Sequence, residues 1–371
     1  MFTSSLDEIS EIRKIDKSNM LSFCIEAPKH YVEAAKIAEK FSFESSFKDH
    51  VDNIVVAGMG GSAISGELLK DWARDKVKVP IEVSREYSLP AYAHTHTAVI
   101  ITSYSGETEE SLSAFLDAIK RGCITVCISS GGSLQEFSEK LGVPHLRVPA
   151  GMAPRATLPY LFIPLLIVLE KIGLVSNVAH EFFAAINALK QVSTANSPEI
   201  PLKDNLSKSL AANICGTIPV VYSFGIYRSV ARRFKQQFNE NSKIPAKWEA
   251  FPELCHNEIV GWEYPGNLTK NFSAVLLRDK AEPAEVRSRI ETTKTLMQPA
   301  VSKILEVWVE GKSTLAKMLS AICIGDFTSV YLAILRKIDP TPVKTINLLK
   351  AQMEQTSIKK EIIRELRKLA D

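Results

Sequence analysis

The feature that most constrains the fold of this chain is a recurring unit of a short apolar strand, a loop of Gly, Ser and Thr, and a helix. In NIVVAGMGGSAISGELLKDW, residues 54–57 form a β-branched run, three glycines predict a turn, and residues 65–73 have helical spacing. The unit recurs in TAVIITSYSGETEESLSAFLDAIKRG and in CITVCISSGGSLQEFSEKLG. Strands that alternate with helices in this way predict an α/β fold in which helices cover both faces of a parallel sheet.

The second half of the chain has the same order of elements. TIPVVYSFGIYRSVARRFKQQFNENSKIPAKWEAF aligns with the first unit and its second strand, and residues 272–279 match the strand in TAVIITSY. A stretch rich in Ser, Pro and Asn at 193–205 separates the halves. We therefore predict two similar, doubly wound domains with parallel sheets flanked by helices, at 1–192 and 205–371. Helical spacing also extends over 4–45 and 158–190, and a charged amphipathic helix is predicted over 346–370.

Composition excludes several classes of function. The 371 residues carry 45 basic and 42 acidic side chains, a net charge of +3, which gives no global field to attract nucleic acid or an anionic membrane. The apolar run at 158–169 is broken by Pro159 and Pro164 and is too short to span a bilayer. The N-terminus lacks the apolar core of a signal peptide, so the cytoplasm is the expected location. The six cysteines form no CxxC pair, so we expect reduced, mostly buried thiols and no thiolate metal site.

The glycine and hydroxyl loops are suited to bind a phosphate group. A phosphate needs several N–H and O–H donors at close range, and a helix N-terminus adds a favourable dipole. The loops follow successive parallel strands, so they meet outside the carboxyl ends of the sheet. Ser129, Ser130 and Gly131 form a third such loop. The candidate phosphate ligands are Gly60, Gly61, Ser62, Ser103, Ser105 and Thr108. The matching loop at 278–283 lacks such donors, so one phosphate site per chain is expected.

Two other interpretations of these loops remain open at this stage. Each loop alone could be a tight turn with a hydroxyl at the start of a helix. Gly58, Gly60 and Ala63 also match one form of the dinucleotide fingerprint. The acid that such a site needs on the next strand would be Glu82, which comes early in that strand.

In this order, GMGGSAISG, SYSGETEE and ISSGG resemble the SIS (sugar isomerase) domain. Four later segments resemble the bifunctional phosphoglucose/phosphomannose isomerases in particular: MAPRATLPY, FNENSK, PELCHNE and DPTPVKTINLLK. The resemblance covers about residues 50–350. It implies an aldose–ketose isomerase with two SIS subdomains that interconverts fructose 6-phosphate with glucose 6-phosphate and mannose 6-phosphate. It also implies an enediolate intermediate, no metal or other cofactor, and a homodimer.

The resemblance also implies roles for single residues. Glu240 corresponds to the base that moves a proton between C1 and C2, and we expect it to be partly buried. His256 corresponds to the ring-opening histidine, which reaches the site of the neighbouring subunit. Arg155 corresponds to the arginine that holds the charge of the enediolate.

Three further positions depend on the same resemblance. Lys350 is our candidate for the lysine that assists ring opening, and Lys344 is the alternative. Thr341, with Pro342, corresponds to the position linked to acceptance of both C2 epimers. The family often has Trp after His-Asn, whereas this chain has Glu258.

Other signals have simpler explanations. His94 and His96 have the spacing of a His-x-His metal motif, but a polar turn before a strand is the favoured interpretation in an α/β chain. GKST at 311–314 lacks the first glycine of a P-loop and is expected to cap a helix. RRFKQQF at 232–238 is basic, yet one short stretch is a weak indication of nucleic-acid binding. Two alternative functions remain: a non-catalytic SIS regulator that binds sugar phosphates, and an amino-sugar phosphate isomerase or deaminase.

Overall fold

The structure is a computed structural model that describes residues 4–42, 51–353 and 356–371. It divides into two compact units, each built around one parallel sheet. The first-sheet unit consists of Lys29–Val178 and Val343–Asp371, and the second-sheet unit of Met1–Pro28 and Ala179–Pro342. The last residues of the predicted N-terminal helical segment, 43–45, lie outside the described residues. So do residues 354–355 of the predicted C-terminal helix.

The first-sheet unit has a five-stranded sheet in the order β2-β1-β3-β4-β5, and every neighbouring pair is parallel. Its strands are β1 (Asn53–Ala57), β2 (Ile81–Ser84), β3 (Thr97–Thr102), β4 (Ile124–Ser129) and β5 (His145–Arg147). The order reverses between β1 and β3, where a doubly wound sheet opens its ligand crevice at the carboxyl ends of the strands. The helices of this unit are α3 (Ala27–Lys40), α4 (Gly60–Ala73), α5 (Glu109–Lys120), α6 (Gly132–Lys140), α7 (Leu158–Lys171), α13 (Lys344–Met353) and α14 (Ile358–Ala370).

The second-sheet unit has a four-stranded parallel sheet in the order β7-β6-β8-β9. Its strands are β6 (Ile218–Phe224), β7 (Lys247–Phe251), β8 (Phe272–Asp279) and β9 (Lys303–Val309). Its helices are α1 (Ile9–Ile15), α2 (Met20–Ile25), α8 (Val178–Ala195), α9 (Leu206–Ile214), α10 (Arg228–Glu240), α11 (Ala284–Met297) and α12 (Thr314–Leu335). The predicted fold class, two parallel sheets flanked by helices, is confirmed.

α12 is long and apolar enough to cross a membrane, the one such helix among the described residues. However, 94% of its most apolar window is buried inside the protein. Its side chains pack against α9 and α10 in the second-sheet unit. The apolar composition of this helix is therefore explained by its position in the core of its unit.

Some elements differ from the prediction. The helix predicted at 158–190 is two helices, because the chain leaves α7 through Gly173, which has a φ of +77°. The predicted C-terminal helix is also two helices, and α14 begins at Ile358, after the N-cap position Ser357, whose side chain makes no capping hydrogen bond. α4 begins at Gly60, five residues before the predicted start at Ser65, so Gly60 and Gly61 belong to its first turn.

The two units differ from the predicted ranges 1–192 and 205–371 in where the ends of the chain belong. Residues 1–28 are part of the second-sheet unit, and residues 343–371 are part of the first-sheet unit. α2 packs against α12 of the second-sheet unit. α14 packs against α5 and α6 of the first-sheet unit, where Ile362 and Leu366 enter the apolar core. Burial of these apolar side chains attaches each terminal segment to the unit that is distant from it in sequence.

Candidate active site

The loop between β1 and α4 presents backbone donors at the carboxyl edge of the first sheet. Gly60 has a φ of +50°, a conformation that favours glycine. The amides of Ser62 and Ala63 both donate to the carbonyl of Met59, at 2.9 and 3.3 Å. The amides of Gly60 and Gly61 come before these and have no earlier turn of helix to bond. Together with the helix dipole they can bind an anion.

The loop between β3 and α5 adds hydroxyl groups at the same edge. Ser103 Oγ donates to Thr108 Oγ1 at 3.0 Å, and Ser105 Oγ accepts from the Glu107 amide at 3.2 Å. Thr108 is the N-cap of α5, but its side chain makes no capping hydrogen bond. The hydroxyl protons of Ser105 and Thr108 can therefore be donated to a ligand. The two loops are joined, since the Tyr104 amide donates to Ser62 Oγ at 3.4 Å.

Arg155 belongs to the same edge of the first sheet. It lies in a short 3-10 helix, Pro154–Ala156, and is buried, at 3% relative exposure. A Cβ on Gly61 would be 3.2 Å from the Pro154 carbonyl, so this turn packs directly on the start of α4. The structure thus brings the backbone of Arg155 to the loop that carries Gly60 and Gly61. The guanidinium of this residue carries a permanent positive charge.

The third hydroxyl loop serves a different purpose from the one that its sequence indicates. Ser129 Oγ donates to the Gly131 carbonyl at 2.8 Å and contacts His145 Nε2 at 2.7 Å. Ser130 Oγ donates to the Tyr104 carbonyl at 2.7 Å. Ser130 thus binds this loop to the β3–α5 loop, whereas Ser129 bonds within its own loop, and both hydroxyl protons are used inside the protein. Burial lowers the pKa of His145 to about 4, so this imidazole is neutral at pH 7.

The carboxyl edge of the second sheet has different chemistry. Asp279, at the end of β8, accepts from Tyr227 Oη at 2.8 Å and pairs with Lys317 Nζ at 2.7 Å. Burial alone would raise the pKa of Asp279, but these partners lower it, so the carboxylate is ionised. Arg278, beside it, is buried and bonded to Glu282, Glu291 and Glu306. A fixed carboxylate lies at the end of β8, whereas the corresponding strand end of the first sheet carries hydroxyls, so the second edge is less suited to bind a phosphate.

Glu240 is the last residue of α10 and is half-buried. The residues that follow it fix the end of the helix against α12. Asn241 Nδ2 donates to Ser329 Oγ at 2.9 Å, and Ser242 Oγ donates to the Ser329 carbonyl at 2.6 Å. Asn241 and Ser242 are both buried. The NENS sequence therefore holds the glutamate on a rigid support, and the expected partial burial is present.

Lys243 connects Glu240 to the turn that contains Thr341. Its Nζ donates to the backbone carbonyl of Glu240 and, at 2.8 Å, to the carbonyl of Pro340. The Thr341 amide donates to Asp339 Oδ1 at 3.0 Å, which shapes the turn. The structure therefore brings Glu240 and Thr341 to the same region. Lys243 was missed in the sequence analysis, although it directly follows the NENS segment.

His256 ends a 3-10 helix, Glu253–His256, after β7, and its side chain is exposed. Next to it, Glu258 stands where the family often has Trp, and the charge of this glutamate is paired by its neighbours. Glu258 accepts from Tyr222 Oη at 3.0 Å and from Lys247 Nζ at 3.0 Å. The negative charge of Glu258 is thus paired close to the His-Asn segment.

Glu240 and His256 lie at opposite edges of the second sheet. β6 and β7 are parallel, so α10 runs back from the carboxyl edge to the amino edge before β7 begins. The 13 residues of α10 rise about 20 Å along the helix. Glu240 ends that helix at the amino edge, whereas His256 follows β7 at the carboxyl edge. Within one chain these two side chains cannot contact the same small ligand.

Lys350 and Lys344 are both exposed on α13, which has no buried residues. They are six positions apart, so they lie on different faces of the helix. Their surroundings do not distinguish them as candidates.

The His94-x-His96 segment lies at the amino edge of the first sheet, away from the hydroxyl loops. Asp52 joins the two histidines, and ligand atoms of all three side chains lie within 4.8 Å of one another. However, the His96 amide donates to His94 Nδ1 at 2.9 Å. A neutral His94 therefore carries its proton on Nε2, which faces Asp52 Oδ2 at 3.6 Å, and offers no lone pair there. Asp52, which directly precedes β1, has no sequence signal that links it to the two histidines.

Ser313 has the capping role that was predicted for the GKST segment. Its Oγ accepts from the Ala316 amide at 3.2 Å at the start of α12.

Comparisons with known proteins agree with this fold. Residues 203–353 match the model of a family described as the bacterial phospho-glucose isomerase C-terminal SIS domain. A bifunctional phosphoglucose/phosphomannose isomerase of Caldicellulosiruptor bescii is 40% identical over 329 residues, which cover 88% of this chain and 97% of that protein. One from Aquifex aeolicus is 36% identical over 87% of this chain and 99% of that protein.

A solved structure supports the fold independently. A hypothetical protein of Thermus thermophilus has a TM-score of 0.72 to this chain, at 14% identity, over 93% of each chain. At this identity the likeness concerns the fold alone.

Proposed function

This chain belongs to the bifunctional phosphoglucose/phosphomannose isomerase family, and we propose that it interconverts fructose 6-phosphate with glucose 6-phosphate and mannose 6-phosphate. The reaction is an intramolecular oxidation–reduction, because C1 and C2 exchange oxidation states while the sugar keeps its atoms. The observation that carries the proposal is the set of donors at one sheet edge: the amides of Gly60 and Gly61, the hydroxyls of Ser105 and Thr108, and the buried Arg155.

The phosphate of the substrate binds to the hydroxyl and glycine loops. The dipole of α4 stabilises a bound phosphate dianion, and so do hydrogen bonds from amides and hydroxyls, which do not change charge with pH. Ser62 and Ser103 are buried and hold the two loops together, while Ser105 and Thr108 supply protons to the phosphate oxygens.

The carboxylate of Glu240 is the base. From the open-chain ketose it removes a proton at C1, and the electron pair of that C–H bond forms the C1–C2 double bond of an enediolate. The proton returns to C2, and the hydroxyl proton moves from O1 to O2, so that an aldose is formed. Arg155 stabilises the negative charge on the enediolate oxygens, and the scheme requires no metal.

Return of the proton to either face of C2 gives the two epimers. Thr341, in the turn beside Glu240, has a side chain small enough to leave space for the intermediate to rotate. This assignment is supported by the bond that joins Lys243 to both Glu240 and the Pro340 carbonyl.

His256 opens the sugar ring from a second subunit. The opposite positions of Glu240 and His256 on one sheet support this exchange, since one chain cannot bring both to a sugar. Imidazole can pass a proton at the ring oxygen near neutral pH. Lys350, or alternatively Lys344, assists the same step. The active form is therefore a homodimer, which we place in the cytoplasm.

The test is turnover of fructose 6-phosphate in excess chelator, with glucose 6-phosphate and mannose 6-phosphate quantified separately. The proposal predicts both products. Glucose 6-phosphate alone would contradict the dual specificity. Absence of any product with sugar-phosphate binding intact would favour a regulator, and conversion of glucosamine 6-phosphate instead would favour an amino-sugar enzyme.

A further inference from the structure

The β3–α5 loop carries a charge that opposes its proposed function. Glu107 lies between Gly106 and Thr108, in the loop that would receive a phosphate dianion. A carboxylate near a bound phosphate lowers the affinity of the protein for that phosphate, unless the carboxylate points away or its charge is neutralised. The contacts of this side chain therefore bear on binding.

The Glu107 carboxylate is held against the start of α6. Its Oε1 accepts from the Ser133 amide at 2.6 Å and from Ser133 Oγ at 3.0 Å. Its Oε2 accepts from Lys359 Nζ, in α14, at 2.6 Å. Burial alone would raise the pKa of Glu107, but the bonds from Lys359 and Ser133 outweigh it and lower the pKa. The group is thus ionised and bonded on both oxygens.

The neighbouring loop leaves little room for another arrangement. A Cβ on Gly106, whose φ is +68°, would be 1.8 Å from the Gly131 carbonyl oxygen. The Leu134 amide donates to the Gly106 carbonyl at 3.0 Å. The β3–α5 loop and the start of α6 therefore form one packed body, with Glu107 and Ser133 at their junction.

α14 is anchored where it can hold this junction. Ile362 and Leu366 are buried in the core with residues of α5 and α6, the helices that follow the two loops. Lys120, at the end of α5, pairs with Glu365 at 3.5 Å. Lys359 is thus held in place by a helix that packs on the core of the first-sheet unit.

We propose that Lys359 is a positioning residue for phosphate binding, which holds the Glu107 carboxylate against α6 and neutralises its charge. The inference rests on the proposed function, because it takes the β3–α5 loop as the phosphate site. The side chains of Lys359 and Glu107 are 37% and 42% exposed, and ion pairs with this exposure add little to stability. We therefore expect loss of Lys359 to change the affinity for phosphate and to have little effect on the free energy of unfolding.

The test is a double-mutant cycle of Lys359→Met and Glu107→Gln, with calorimetric titration of inorganic phosphate and steady-state kinetics on fructose 6-phosphate. Lys359→Met is expected to weaken phosphate binding and raise KM by about three- to tenfold, with kcat nearly unchanged. In the Glu107→Gln background, which keeps an acceptor for Ser133 without the charge, Lys359→Met should change either quantity by less than about twofold. Lys359→Arg should restore binding.

The matched control is Lys368→Met, which removes a lysine of α14 that pairs with Glu365 at 2.7 Å, away from the loop. It should leave phosphate affinity unchanged. Unchanged affinity in Lys359→Met would overturn the proposal, and so would an equal loss with and without Glu107, because Lys359 would then act on the phosphate directly. If phosphate binding follows the prediction while fructose 6-phosphate is not converted, the isomerase proposal fails and the role of Lys359 stands.

Discussion

At the scale of single residues, the account depends first on Glu240 as the base. Glu240→Gln keeps the size of the side chain and its place at the end of α10 but removes the basic oxygen. We expect kcat to fall by about 10²–10⁴-fold, the range for loss of a general base, with little change in the Kd for fructose 6-phosphate. Rapid-mix kinetics and calorimetry measure the two quantities. Retention of most of the turnover would remove Glu240 from this role.

The hydroxyls of Ser105 and Thr108 give a second prediction at this scale. Ser105→Ala combined with Thr108→Ala removes two donors to a charged ligand, each worth about 1.5–3 kcal/mol. KM for fructose 6-phosphate should therefore rise about a hundredfold or more, with a smaller effect on kcat. Thr295→Ala, which removes a hydroxyl bonded to a helix carbonyl on α11, is the control. Normal substrate affinity in the double variant would refute the phosphate assignment.

Some residues at the candidate site could be predicted from sequence because their signal is local. The glycines and hydroxyls follow apolar strands directly, so strand periodicity alone places them at a sheet edge. The pairing of Glu107 with Lys359 could not be predicted, since 252 positions separate the two residues. Glu240 and His256 are an ordinary acid and an ordinary histidine without the family resemblance.

At the scale of elements, the strands were predicted well and the helix ends less well. Every predicted strand is a strand of a parallel sheet, because buried parallel strands are short apolar runs between turns. α4 begins earlier than predicted, since glycine has a low intrinsic helix propensity, which packing against Arg155 and its neighbours overrides here. The attachment of α14 to the first sheet depends on side-chain packing between distant segments, which periodicity does not specify.

α14 supplies a prediction for stability. Leu366 is fully buried in the core of the first-sheet unit. Leu366→Ala should lower the free energy of unfolding by about 2–5 kcal/mol, because it removes buried methyl groups and leaves a cavity. Chemical denaturation followed by circular dichroism measures the change. Leu369→Ala, on the exposed side of the same helix at 42% exposure, is the matched control and should change stability by less than about 0.5 kcal/mol. Equal effects of the two substitutions would contradict the packing described for α14.

At the scale of the whole molecule, two sheets of similar topology carry their candidate site residues at different edges. The first sheet has the proposed phosphate donors at its carboxyl edge, while the second carries Glu240 and Thr341 at its amino edge and His256 at its carboxyl edge. The two sheets thus share a topology but differ in the candidate residues that they carry. The central claim of the account is that a complete site takes Glu240 from one subunit and His256 from another.

The most direct test mixes Glu240→Gln with His256→Asn protein after dissociation and reassociation of the subunits. Each variant alone should be nearly inactive as a homodimer. In a heterodimer, one of the two sites then has both residues intact. Random reassociation should therefore restore turnover of fructose 6-phosphate to about a quarter of the wild-type value. Wild-type subunits that pass through the same treatment provide the reference. If the mixture remains as inactive as the separate variants while heterodimers are demonstrably present, His256 does not act in the site of a second subunit and the central claim is wrong.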